Sequence, residues 1–313
     1  MKPPETALSS FEGRQEDWDA LLAGAGRTAL EQSWAYGEAV AKRHGWIVRR
    51  LLAGPPGTPE AVLQMVERPV LGLVTLVRLT RGPVLLPPAP EASRREAIFR
   101  AIRRHSRLST RRPLFWMPAL RDSETNLALM RRCGLRRSVT GYTTAWLDLG
   151  RSEPDLRRAL HGKFRNSLAA AEAGALTVGG GHAGALDWLL ERHDEHRRAR
   201  RFVAPDGLFY RYLTEAAGQA RTRVYQAYSE DLPVSGALFL RHGACATYAV
   251  GWSGADGRRL GAQTLLLWRA LLDLKRRGVT WLDLGGLTPA APGVARFKLG
   301  LGGEPVTLAG TFF

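Results

Sequence analysis

The sequence predicts an α/β protein in which one kind of unit is used twice, each unit a mixed, mostly antiparallel sheet carrying helices. Three observations carry that prediction. Each half of the chain runs helices first, then a series of strand-like stretches, then one more helix and one more strand. At 313 residues the chain is long enough for about two domains. With 45% hydrophobic residues there is ample material for packed cores, and no heptads, tandem repeats or low-complexity tails offer a rival architecture. The first unit is placed at 1–150 and the second at 151–313, the join near Gly150 to Pro154, with 305–313 free to return to the first.

The elements follow in order. Trp18 to Leu22 predicts a short helix and Trp34 to His44 a second. Ile47 to Leu52 and Ala61 to Glu67 read as strands, and Leu71 to Leu79 and Val84 to Leu86 continue the sheet. Pro87-Pro88-Ala89-Pro90 turns the chain into a helix from Ala92 to Arg104. Leu114 to Met117 is a short strand, Ser123 to Arg132 a helix closed by Cys133-Gly134, and Thr143 to Leu149 a strand. In the second half Leu156 to Ala173, Leu186 to Arg198 and Leu208 to Ala217 are helical, followed by strands at Thr222 to Ser229, Val234 to Arg241 and Ala244 to Gly251. Leu265, Leu266, Trp268, Leu271, Leu272 and Leu274 recur at three- and four-residue spacing, so Gln263 to Arg277 is an amphipathic helix. Gly278 stops it and Val279 to Leu284 is a buried strand.

The chemistry concentrates at the end of that strand. Trp281-Leu282-Asp283-Leu284-Gly285-Gly286 runs a strand into a glycine turn, and Arg296-Phe297-Lys298-Leu299-Gly300-Leu301-Gly302 brings basic and aromatic groups back. By itself a strand ending in Gly-Gly is a tight turn. Asp283 in an otherwise apolar strand is costly unless paired, so it orients or deprotonates an amine, caps the next turn, or pairs with Arg296.

Charge narrows the partners. Forty-five Lys plus Arg against 29 Asp plus Glu give +16, a positive field that attracts nucleic acid, an anionic membrane surface or a phosphorylated substrate without choosing among them. Paired arginines are equally a habit of an Arg-over-Lys composition; scarce lysine draws attention to Lys163 and Lys298. The apolar run Pro69 to Val77 is too short to cross a bilayer and ends at Arg78. Met1-Lys2-Pro3-Pro4-Glu5 lacks a signal-peptide core, so a cytoplasmic protein without a transmembrane segment is expected. Cys133 and Cys245 lack metal-type spacing and are assigned packing roles. His193 and His196 read as a solvated polar face, no metal site is expected, and no Ser/His/Asp or Cys/His series suggests a protein nucleophile.

The order helix, Gly278, strand, Gly-Gly, loop, Phe297-Lys298 resembles the closing segment of the FemA/FemB/FemX family, aminoacyl-tRNA-dependent peptidyl transferases built from tandem GNAT-like (acyl-CoA N-acyltransferase-like) domains. Lys163-Phe164-Arg165-Asn166-Ser167-Leu168-Ala169-Ala170-Ala171-Glu172 is similar to the family's basic helix, and Gln32-Ser33-Trp34-Ala35-Tyr36 to its N-terminal Gln/Trp helix. The resemblance covers nearly the whole chain. It implies an aminoacyltransferase that moves an amino acid from aminoacyl-tRNA to an amine, a peptidoglycan stem peptide or related peptide in cell-wall building, with the charged tRNA as co-substrate and no further cofactor. It also implies the site: Lys298 at the acceptor-end phosphates or the developing negative charge and Phe297 stacking on a terminal base, with Asp283 joining the catalytic candidates on its own burial. Lys163 and Arg165 read equally as phosphate-binding groups or a solvated helix face, Tyr248 as a substrate contact or core, and Trp34 and Tyr36 would contact substrate.

One departure from the family's pattern qualifies it, and one from the acyl-CoA signature speaks against a CoA donor. Family members that use nucleotide-linked precursors carry a lysine two positions after the helix Trp, where this chain has Tyr36, so a small-molecule amine or another peptide stays open as acceptor. The acyl-CoA signature Q/R-x-x-G-x-G/A begins at Arg258-Arg259-Leu260-Gly261-Ala262 and departs at Gln263, where a phosphate-binding turn wants a small residue. An acyl-CoA-dependent N-acyltransferase of the same fold is the alternative, and a non-catalytic RNA- or membrane-surface-binding protein a third reading.

Overall fold

The chain is described from a computed structural model, which covers residues 6–106, 111–181 and 184–313; the Met1–Glu5 stretch read for a signal peptide lies outside them. The first elements are β1 (Leu8–Ser10), α1 (Gln15–Gly24), a 3-10 turn (Leu30–Gln32), α2 (Trp34–His44), β2 (Ile47–Ala53), β3 (Ala61–Val70), β4 (Val74–Thr80) and β5 (Val84–Leu85). Next come α3 (Ala92–Ser106), β6 (Leu114–Met117), α4 (Glu124–Arg132), β7 (Arg137–Val139), β8 (Thr143–Asp148), α5 (Glu153–Ala159), α6 (Gly162–Ala173) and β9 (Thr177–Gly180). The remainder is α7 (Ala185–Arg200), α8 (Gly207–Ala217), β10 (Thr222–Ser229), β11 (Leu232–His242), β12 (Cys245–Ser253), α9 (Ala255–Arg259), α10 (Ala262–Arg276), β13 (Trp281–Leu287), α11 (Pro292–Gly300), β14 (Glu304–Thr307) and β15 (Thr311–Phe312).

The chain forms two units, one made of Met1–Thr143, His242–Ala244 and Val306–Phe313, the other of Thr144–Arg241 and Cys245–Pro305. Each is an α/β unit with a mixed, mostly antiparallel sheet. In the first the strand order is β1-β2-β3-β4-β6-β15-β7, with β5 on β3. In the second it is β14-β8-β13-β12-β11-β10-β9. The duplication shows in the pairing: an antiparallel β2-β3-β4 run crosses over through α3 to the parallel strand β6, and β10-β11-β12 crosses over through α10 to the parallel strand β13.

Local chemistry sets the element ends. Ser33 caps α2 by accepting from the Tyr36 amide (3.2 Å), and Gly45 closes it in the left-handed region at φ 67. Gly278 (φ 79) closes α10 as predicted, its N–H donating to the Lys275 carbonyl (2.9 Å). Burying Leu265, Leu266, Leu267, Trp268, Leu271 and Leu274 packs α10 against the second unit's sheet; that core also holds Leu282 and Leu284 of β13. Trp116, Phe99, Ile98 and Ile102 centre the core of the first unit.

Several expectations are corrected. The strand expected at Leu71 begins at Val74, because Leu71 (φ 50) and Gly72 (φ 67) turn the chain first. The helix expected from Leu156 to Ala173 is broken: Leu160 and His161 are extended, although Leu156, Leu160, Phe164 and Leu168 keep helical spacing across the break. Gly285 and Gly286 lie within β13 rather than after it, Gly285 at φ 77, and the return of Phe297 and Lys298 is the helix α11, with a proline in its first turn. The strand read as closing the first half, β8, belongs to the second unit's sheet. His193 is not on a solvated face: it is buried, edge-on to Phe202 and Tyr210, and 2.9 Å from the Pro205 carbonyl. Among the described residues no three His, Cys, Asp or Glu side chains gather as a metal would require, and Cys133 and Cys245 are buried free thiols.

Candidate active site

A parallel strand pair that stops pairing early makes the site. β12 and β13 are in register from Cys245↔Trp281 to Thr247↔Asp283 only, while β12 runs on to Ser253 and β13 to Leu287. A cleft of about 390 Å³ opens beside them. Tyr248 and Trp252 line it from β12, Gln263 and Thr264 from the first turn of α10, Ser167 from α6, and Phe297 and Lys298 from α11. The corresponding pair in the first unit stays closed: β4 and β6 remain in register from Val77↔Leu114 to Thr80↔Met117, and the Trp116 indole N–H donates to the Gly82 carbonyl (2.7 Å) just beyond.

At the point where the strands part, Asp283 is fully buried and accepts from the Thr144 hydroxyl (2.5 Å) and the Gly285 amide (2.8 Å). Those two bonds fold the strand end over and satisfy the buried carboxylate. The Lys298 ammonium reaches the same turn from α11, donating to the Gly286 carbonyl at 3.1 Å. Burial pushes its pKa down, and the Asp283 charge partly offsets that. Phe297 packs on Phe164 with ring centroids 5.5 Å apart.

The wall opposite is a hydrogen-bonded chain. Gln263 Nε2 donates to the Tyr248 hydroxyl (2.8 Å), and the Ser235 hydroxyl lies between Gln263 Oε1 and the Trp252 carbonyl. Burial raises the Tyr248 pKa well above the usual phenol value, so its hydroxyl stays protonated. His196, also at the cleft, is pushed below its ordinary value by burial and then by Arg200 and Arg258. No carboxylate is among the described residues lining the cleft, and Arg258 and Lys298 give it positive charge.

The predicted site residues therefore divide. Lys298, Phe297 and Tyr248 come together in the cleft. Asp283 is outside the lining, and its carboxylate accepts from the Thr144 hydroxyl and from the Gly285 amide of the turn that follows it. Lys163 and Arg165 are exposed on α6 and do not line the cleft, and the Arg165 guanidinium donates to the Leu160 carbonyl (3.2 Å), covering the end of α5. Trp34 and Tyr36 belong to the first unit, where the Arg50 guanidinium lies 3.4 Å over the Trp34 ring. Sequence reasoning missed Ser167, Trp252, Thr264 and His196 as lining residues. Ser167 directly follows the Lys163-x-Arg165-Asn166 stretch, which is the signal that could have found it.

The fold is that of a tandem GNAT-like protein, with its open cleft in the second unit. Residues 156–299 match a family model described as an acetyltransferase (GNAT) domain, and this segment spans every cleft-lining residue. Over nearly its full length the chain has the fold of FemX, with TM-score 0.82, 15% identity, and 97% of this chain and 96% of that one covered. The resemblance to the FemA/FemB/FemX family is thereby borne out in the fold. A tandem GNAT protein from the clavulanic acid biosynthesis pathway matches at TM-score 0.57 and 15% identity, covering 98% of both chains. The C-terminal domain of a putative lysylphosphatidylglycerol synthetase from Agrobacterium fabrum matches at TM-score 0.57 and 14% identity, covering 95% of this chain and 90% of that one. No curated protein matches the chain.

Proposed function

We propose that the second unit's cleft is an aminoacyltransferase site that passes an amino acid from aminoacyl-tRNA to an amine, a cell-wall stem peptide or related peptide being the acceptor. The observation that carries this is the placement of Lys298 and Phe297 on α11, facing the cleft where β12 and β13 part. An aminoacyl ester is already activated. The amine nitrogen attacks its carbonyl carbon, the carbonyl oxygen gains charge, and the C–O bond to the ribose breaks. The ribose oxygen leaves with the proton that the amine gives up, and an amide remains. The protein has to align the two reactants and stabilise the oxyanion, and no covalent enzyme intermediate is needed.

The Lys298 ammonium has three N–H donors, of which one bonds Gly286 among the described residues, and the others can serve that oxyanion or an acceptor-end phosphate. Phe297 and Trp252 offer faces for a terminal base. Gln263 supports this donor over acyl-CoA: its side chain occupies the first turn of α10, tied to Tyr248 and Ser235, where a pyrophosphate would need bare backbone.

A second reading, an acyl-CoA donor, is favoured by the cleft's position at the α10 N-terminus with Arg258 beside it. Incubation with charged tRNA and an amine-bearing peptide, or with acetyl-CoA and the same peptide, separates them. Amine-dependent deacylation of tRNA is the expected result. Turnover with acetyl-CoA alone overturns the tRNA reading.

A further inference from the structure

The apolar run Pro69 to Val77 ends in a place that core packing does not explain. β3 and β4 outrun their neighbours: β2 pairs with β3 no further than Ile47↔Glu67, and β6 meets β4 only from Val77↔Leu114. From Arg68↔Leu76 through Pro69↔Thr75 to Val70↔Val74, the two strands have ladder partners only in each other among the described residues. Among the described residues the stretch's other backbone bonds run from the Leu73 amide to the Val70 carbonyl (3.1 Å) at the turn and from the Thr75 amide to the Arg111 carbonyl (2.8 Å).

The tip is built against local preference. Leu71 is 90% exposed and Leu73 65% exposed, and Leu71 sits in the left-handed region at φ 50. A hairpin turn there ordinarily carries Asn, Asp or Gly, which suit both the backbone and water. Two leucines at such a tip point to a surface that receives them.

The base has the opposite chemistry. Arg68 and Arg78 hold their guanidinium carbons 5.8 and 5.1 Å from the centre of the Trp46 ring, with exposed Ile47 and Phe115 nearby in the sheet. From Arg68 to Arg81 there is no Asp or Glu. An apolar tip above a collar of tryptophan and arginine matches a bilayer interface: leucine enters the acyl boundary, the indole sits at headgroup level and guanidinium groups meet lipid phosphates.

We propose that the Arg68–Leu76 hairpin is a docking arm that inserts its leucine tip into an anionic lipid surface. Nucleic acid fits less well, since the tip carries no hydrogen-bonding side chain. The arm belongs to the first unit, and the proposal does not depend on which donor the cleft takes.

The test is sedimentation of the full-length protein with phosphatidylcholine vesicles with and without phosphatidylglycerol. The parent protein is expected to bind the anionic vesicles in a salt-dependent way. Leu71→Asn with Leu73→Ser is expected to lower partitioning at least about tenfold while circular dichroism and transfer to a soluble acceptor stay unchanged. Arg68→Gln with Arg78→Gln is expected to remove most of the salt dependence. Failure of the parent to bind anionic vesicles, or binding indifferent to the leucine changes, overturns the proposal. So does a parent dimer, or a parent–tRNA complex, lost in the leucine variant without any vesicle binding by the parent.

Discussion

Adding one methyl group at Gly251 tests the geometry of the cleft wall. A Cβ built there falls 1.6 Å from the Tyr248 hydroxyl oxygen and 2.5 Å from its Cζ, well inside the 3.0 Å that real Cβ atoms respect. Gly251 has no left-handed backbone, and the three atoms nearest to the added methyl all belong to Tyr248. To admit the methyl, Tyr248 must swing away from Phe239, whose centroid is 5.3 Å off, and release its 2.8 Å bond from Gln263. Overpacking of this kind costs about 1–3 kcal/mol, and the abandoned Gln263 amide adds about 1 kcal/mol. Gly251→Ala is therefore expected to destabilise by about 2–4 kcal/mol and to depress transfer. In a Tyr248→Leu background the clash is gone and the same change is expected to cost less than about 0.5 kcal/mol. A double-mutant cycle of urea unfolding curves reads the coupling directly. Additive effects, or a Gly251→Ala protein within about 0.5 kcal/mol of the parent, would refute the placement of Tyr248 across Gly251.

Lys298→Met is expected to lower single-turnover transfer by about 10²–10³-fold while the unfolding midpoint holds or rises, since a desolvated charge is removed; a loss under about threefold would take Lys298 out of the chemistry. Asp283→Ala leaves the Thr144 hydroxyl and Gly285 amide without their acceptor and is expected to cost on the order of 3 kcal/mol in urea melts. Gly285→Ala forces a side chain into φ 77 with its Cβ 3.3 Å from the Lys298 Nζ, and about 1–2 kcal/mol of stability should fall together with activity. Burial, then Glu31, pushes the Tyr36 pKa from 10.0 up to about 12. The folded state keeps this proton longer than the unfolded chain does, so its contribution is intact below pH 10.0 and is lost as pH rises toward about 12. Urea midpoints should decline over that window less steeply in Tyr36→Phe than in the parent, and identical slopes would count against it.

Strong periodicity made most of the fold readable. The six apolar residues of α10 and the stop at Gly278 are visible without coordinates, and so is the repeated order of helices and strands. The break at Leu160 and His161 was hidden because apolar spacing continues through it. The site was half legible for a similar reason. Phe297 and Lys298 stand out as residue types beside glycine, whereas Ser167, Thr264 and Trp252 acquire a role only because β12 and β13 separate, which is a matter of register and not of composition. Gln263 looked like an obstruction in sequence; in three dimensions it is the link between Tyr248 and Ser235. Asp283 was flagged correctly as a buried charge needing partners, but which partners depended on Thr144, distant in sequence.

The two-residue strand β15 lies between β6 and β7, and its Phe312 is part of the first unit's hydrophobic core. Everything else in that sheet is synthesised before Thr143, yet the seam between β6 and β7 stays unfilled until Thr311 and Phe312 have left the ribosome. An N-terminal fragment ending at Thr143 would carry two raw strand edges and a hole where an aromatic ring belongs. During translation the earlier-made unit is the later one finished.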